Sequence, residues 1–66
     1  MIPMLRKLRI EKRVSMYELS KMTGYGVVEI CDVERGKYER SDEFWDTVSK
    51  ALGIDKNLLM KEDEEV

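Results

Sequence analysis

The residues best suited to chemistry lie in one stretch, TGYGVVEICDVERGKYER, residues 23–40. Val27, Val28, Glu29 and Asp32 fall in its helical part. A valine can meet the methyl group of thymine, and a carboxylate can accept from the amino group of cytosine. Arg35, Lys37, Tyr38 and Arg40 follow directly. Their charges and hydroxyl suit phosphate oxygens, contacts that fix register without reading sequence. A second chemistry competes with the first. Val27, Val28, Tyr25 and Met16 can make one apolar patch for another protein. Glu29 and Asp32 would then act against nucleic acid. The plainest reading gives neither: Val27 is partly core, Val28 is an ordinary exposed apolar residue, and the acids are a solvated face.

Catalysis is not expected. The chain has no His, one Cys and no glycine-rich phosphate loop after a strand. No metal or other cofactor is expected, since one Cys without His makes a zinc site improbable. Cys31 cannot form a disulfide within the chain, and it reads as a buried, inert thiol.

The elements that must position these residues are helical. Met4, Leu5 and Leu8 share a face that Met1 extends, and Pro3 suits a first turn, which places a helix at about 3–13. Ser15 and Glu18 in SMYE form a capping box. Leu19 and Met22 face inward, and Gly24 ends this second helix, at about 15–23. A third helix starts after Tyr25 or Gly26, with Ile30 and Val33 as its core pair and Gly36 as its stop. GKYER is a loop. Ser41 is a cap candidate, and the acids of SDEF suit the start of a helix. Phe44, Trp45, Val48 and Leu52 give that helix its apolar face, though adjacent Phe44 and Trp45 should not face inward equally. Gly53 stops it. Asp55 caps a short fifth helix carrying Leu58 and Leu59. Met16 and Ile10 sit off the main apolar faces.

The 66 residues make one domain, read as residues 1–60 with an acidic, solvated tail at 61–66. The fold class is all-α, five short helices around one small core. Net charge is −2, unevenly spread. Residues 1–13 carry Arg6, Lys7, Arg9, Lys12 and Arg13 against Glu11 alone, whereas residues 41–66 hold three Lys against eight acids. One end attracts phosphate and the other repels it. No apolar run reaches the ~18 residues that span a bilayer, and no secretory leader is evident, so a reducing cytoplasm is expected.

The second and third helices, joined by TGYG, have helix-turn-helix spacing. From Met4 to about Met60 the chain resembles the Cro and lambda-repressor-like helix-turn-helix family of bacteria and phages. The resemblance rests on LRKLR at 5–9, VSMYELSKMTG at 14–24, ICDVERGK at 30–37, SKALGI at 49–54 and LLM at 58–60, in order. It implies a regulator that binds double-stranded DNA, with the third helix in the major groove. It also implies a structural ion pair between Arg9 and Glu34, and phosphate contacts near Met16 and Gly26. Such proteins work as dimers, and Leu58, Leu59 and Met60, with Trp45 a further candidate, are the expected homodimer surface. The chain departs from the pattern at five places. Met16 replaces a common Gln, and Gly26 a Ser or Thr. Val27, Val28, Glu29 and Asp32 replace polar or basic readers. Arg13 replaces a Gly, and Arg40 a Pro. The alternative is a protein-interaction module on the same fold, with little or no DNA binding.

Overall fold

The computed structural model describes residues 2–63. Five helices follow one another among them: α1 (Leu5–Glu11), α2 (Met16–Thr23), α3 (Val27–Glu34), α4 (Asp42–Leu52) and α5 (Lys56–Met60). The fold is all-α. None of these helices is long and apolar enough to cross a membrane.

Local sequence explains most of the boundaries. Ser15 Oγ accepts from the Glu18 N–H at 3.0 Å, and Glu18 Oε1 accepts from the Ser15 N–H at 3.2 Å. Both halves of a capping box therefore open α2. Gly24, at φ +82°, closes it in the left-handed region that L side chains disfavour. Asp55 caps α5 by accepting from the Asn57 N–H at 2.8 Å. Ser41 occupies the cap position of α4 without using its hydroxyl as a cap. Asp42 and Glu43 supply the negative charge that the first turn favours.

Every helix contributes to a single core. Leu5, Leu19, Ile30, Val33, Phe44, Trp45, Val48, Leu52 and Leu59 are all buried. Each such side chain is worth roughly 1.5–3 kcal/mol of transfer free energy. Helix α4 is the hub: α2 and α5 pack on it, α3 packs on α2, and α1 on α5.

Three expectations from periodicity need correction. Phe44 and Trp45 are both buried, at 0% and 6% exposure. Tyr25 covers Phe44, ring centroids 4.8 Å apart, while Trp45 lines a separate cavity with Pro3, Val33 and Met60. Neighbouring positions on α4 thus have separate cover on two sides. Met22 does not face inward; it is half exposed. The inner side of α2 is instead Met16, Leu19 and Thr23, so Met16, expected off the core, packs against it. Met22, three residues from Leu19, falls at the margin of the buried face and stays half exposed.

The ends of the chain correct the reading of residues 3–4 and 61–63. Pro3 is not helical; α1 begins at Leu5. Pro3 and Glu62 form an isolated antiparallel bridge. The Met4 N–H donates to the Lys61 carbonyl at 2.8 Å, and the Asp63 N–H to the Ile2 carbonyl at 2.8 Å. Backbone pairing thus holds Lys61–Asp63, expected as a solvated tail, against the start of the chain. Met1 and Glu64–Val66 lie outside the described residues.

Candidate nucleic-acid interface

The unit that would carry the chemistry is α2, the three residues Gly24, Tyr25 and Gly26, and α3. Hydroxyl groups brace its turn. Ser20 Oγ donates to the Tyr25 carbonyl at 2.6 Å. Thr23 Oγ1 donates to the Leu19 carbonyl at 2.8 Å and accepts from the Tyr25 N–H at 3.3 Å. The Tyr25 ring rests on Phe44. The angle between α2 and α3 is therefore held by short-range hydrogen bonds and by packing on α4.

The inner side of α3 is Ile30, Val33 and Glu34, all buried. Its outer side follows from helical spacing: Val28, Asp32 and Arg35 stand at i, i+4 and i+7 on one stripe. Val28 is 74% exposed, Asp32 is half-buried and Arg35, the C-cap, is exposed. Val27 is half-buried on the flank. Cys31 is half-buried rather than fully buried, because it lies between the core side and this stripe. The Lys37 N–H donates to the Asp32 carbonyl at 2.9 Å, which folds the α3–α4 loop back beside the stripe. Lys37 and Tyr38 are both exposed there.

Glu29 lies apart from the stripe. Its Oε1 accepts from the Gly26 N–H at 3.2 Å, and its Oε2 from Arg40 Nη1 at 3.1 Å. The Gly26 N–H, and secondly the Arg40 guanidinium, hold this carboxyl below its ordinary range. Arg40 in turn stacks over Tyr25 and Phe44, 5.2 and 5.1 Å from the ring centroids. Three expected contact residues are thus already engaged. Glu29 caps its own helix, the Gly26 N–H is taken by Glu29, and the Arg40 charge is tied to Glu29. Met16, a fourth, is half-buried against the core. The apolar patch expected from Met16, Tyr25, Val27 and Val28 loses its first two members to the core in the same way.

Tyr17 went unnoticed in the sequence. It is 74% exposed in the first turn of α2. The signal was available: with Ser15 as cap and Leu19 inward, Tyr17 must point outward.

Behind the unit, Arg9 joins three pieces of chain. Its Nε donates to Glu34 Oε2 at 2.8 Å and its Nη2 to Glu34 Oε1 at 3.1 Å. Its Nη1 donates to the Val14 carbonyl at 2.7 Å. Both side chains are almost fully buried, at 6% and 5% residue exposure. The pair fixes α1 and the α1–α2 joint to the end of α3.

The three residues expected to pair two copies of the chain are split. Leu58 is 53% exposed, Met60 is half-buried, and Leu59 is wholly inside the core. Trp45 is also buried within the single chain. Neither Leu59 nor Trp45 keeps area to offer a partner.

Comparison of the chain with family models, with characterised proteins and with solved structures finds no match.

Proposed function

We propose that this chain is a helix-turn-helix DNA-binding regulator of the Cro and lambda-repressor-like kind, acting as a homodimer in the cytoplasm. The observation that carries the reading is the braced α2–turn–α3 unit, with Val28, Asp32 and Arg35 in one outward stripe. In the major groove Val28 would meet a thymine methyl and Asp32 would accept from a cytosine amino group. Arg35 and Lys37 would hold phosphates. Each neutralised phosphate adds roughly 0.9 to the salt slope of binding, so this small set implies a shallow dependence. The test is selection from a random duplex pool at about 0.1 M salt, where exposed charges are already substantially screened. An enriched two-fold motif with half-sites about 34 Å apart is expected. Absence of enrichment by folded protein overturns the reading.

One observation favours a second reading, a protein-interaction module with little or no DNA binding. The Glu29 carboxylate takes the Gly26 N–H and the Arg40 charge, both natural seats for phosphate. Tyr17 and Val28 would then contact a protein partner. Releasing that tie by Glu29→Gln separates the two. Duplex affinity rises if α3 faces DNA and stays unchanged if it faces elsewhere.

A further inference from the structure

The α3–α4 loop, α4, α5 and the start of the chain border a cavity of about 320 Å³. That is the small end of the range for ligand sites, about 300–1,000 Å³. Pro3, Val33, Trp45 and Met60 give it apolar walls. The first three are buried and Met60 is half-buried. Tyr38 and Glu39 line it from the loop, and both are exposed, Tyr38 at 63%. Neither side chain is in a hydrogen bond or an ion pair among the described residues. Arg40 also lines the cavity, but its charge is tied to Glu29.

Trp45 adds a second polar group without a partner. The residue is 6% exposed, and its indole N–H makes no hydrogen bond among the described residues. No fully buried side-chain nitrogen there lacks a partner. The N–H therefore stands at the small part of Trp45 that solvent reaches, and Trp45 lines this cavity. An indole N–H only donates, and a carboxylate only accepts.

These groups select among ligands. A purely apolar molecule would take the Trp45 N–H from water and give nothing back. An acid would meet the Glu39 carboxylate, with the Arg40 charge already committed. A simple amine would satisfy Glu39 and leave the indole N–H without an acceptor. A flat heteroaromatic ring with an amino group next to a ring nitrogen satisfies both, and its face suits the exposed Tyr38 ring. Bases stack on aromatic side chains, and carboxylates accept from the amino group of cytosine.

We propose that this cavity binds a free nucleoside whose base carries an amino group beside a ring acceptor, the pattern shared by cytosine and adenine. The amino group donates to Glu39, the ring nitrogen accepts from the Trp45 N–H, and Tyr38 stacks on the base. The site makes no use of Val28, Asp32 or Arg35, so it stands apart from the α3 reading.

The experiment is titration of the full chain with cytidine and with adenosine, followed by the indole N–H signal in a proton–nitrogen NMR spectrum. Trp45 is the one tryptophan, so the signal is unambiguous. A saturable downfield shift is expected below about 10 mM, since ligands of this size reach roughly millimolar affinity or better. Uridine and inosine, with a carbonyl in place of the amino group, bind about tenfold more weakly, the scale of one charge-assisted hydrogen bond. Tyr38→Ala weakens the amino-bearing nucleosides about tenfold, the scale of one base–aromatic stack. Glu39→Gln offers a donor as well as an acceptor, and it removes the preference for the amino base. Circular dichroism of both variants keeps the helical spectrum, since both side chains are exposed. A larger shift with cytidine or with adenosine names the base. No saturable shift with either overturns the proposal. So does equal binding within both pairs of nucleosides, or equal binding by the parent and both variants. No DNA is present, so the outcome is independent of whether α3 reads a duplex.

Discussion

Arg9 and Glu34, 25 residues apart in sequence, make a two-pronged ion pair inside the protein, with donor–acceptor distances of 2.8 and 3.1 Å. The remaining Arg9 nitrogen donates to the Val14 carbonyl. No buried side-chain nitrogen or oxygen among the described residues lacks a partner. Two desolvated charges satisfy each other, and removing either one strands the other.

Arg9→Ala or Glu34→Ala should therefore cost about 3–5 kcal/mol each. That is comparable to the whole stability of a domain this small. Urea denaturation followed by circular dichroism should show little or no cooperative transition for either variant. Arg9→Met combined with Glu34→Leu should fold, because apolar residues of similar volume replace such a pair at little loss. A single variant with the parent's midpoint would mean that the pair does not hold α1 to α3.

Arg13 has φ +58°, the left-handed region, and it is the one non-glycine residue there among the described residues. An L side chain in this conformation costs roughly 1–2 kcal/mol. Arg13→Gly removes that strain and adds about 0.5–1 kcal/mol of chain entropy to lose on folding. A net gain of up to about 1.5 kcal/mol is expected. Calorimetry should register a rise of several degrees in melting temperature, at about 4–8 °C per kcal/mol for this size. A lower melting temperature would mean that the Arg13 side chain contributes more than its backbone strain.

Glu29 has a carboxyl held below its ordinary value of 4.5 by the Gly26 N–H and then by Arg40. A depressed folded-state value gives stability that is present above the unfolded value and lost as pH falls through the folded one. Thermal melts of the parent and Glu29→Gln should differ most at neutral pH. The curves should converge as pH drops below 4.5. A gap that widens on acidification would contradict the tie.

Leu58 and Leu59 are neighbours with opposite surroundings, 53% and 0% exposed. If the chain dimerises through α5, Leu58→Glu should yield a folded monomer by analytical ultracentrifugation at tens of micromolar. Leu59→Glu should unfold the chain, since it places a charge in the core. A dimer that survives Leu58→Glu would place the contact elsewhere.

The elements were legible wherever the signal was local. SMYE opens α2 and Gly24 ends it because capping is decided within four or five residues. Ile30 and Val33 were legible because helical spacing alone selects them. Met22 and Trp45 were not, because their burial depends on which helix arrives from far along the chain. Pro3 was misread for the same reason: its partner, Glu62, is at the other end. Within the candidate site, the outward position of Val28 followed from spacing. The engagement of Glu29 by Arg40 did not, since it needs the α3–α4 loop to return over Tyr25 and Phe44.

The bridge between Pro3 and Glu62 brings the two ends of the described chain side by side. Added sequence at either end would therefore leave the domain at one place. Joining the ends through a short linker should allow new openings to be cut in an exposed joint such as residues 37–39, giving a circularly permuted domain. The same closure suits the fold to insertion, whole, into a surface loop of a larger host protein, with one point of entry and exit.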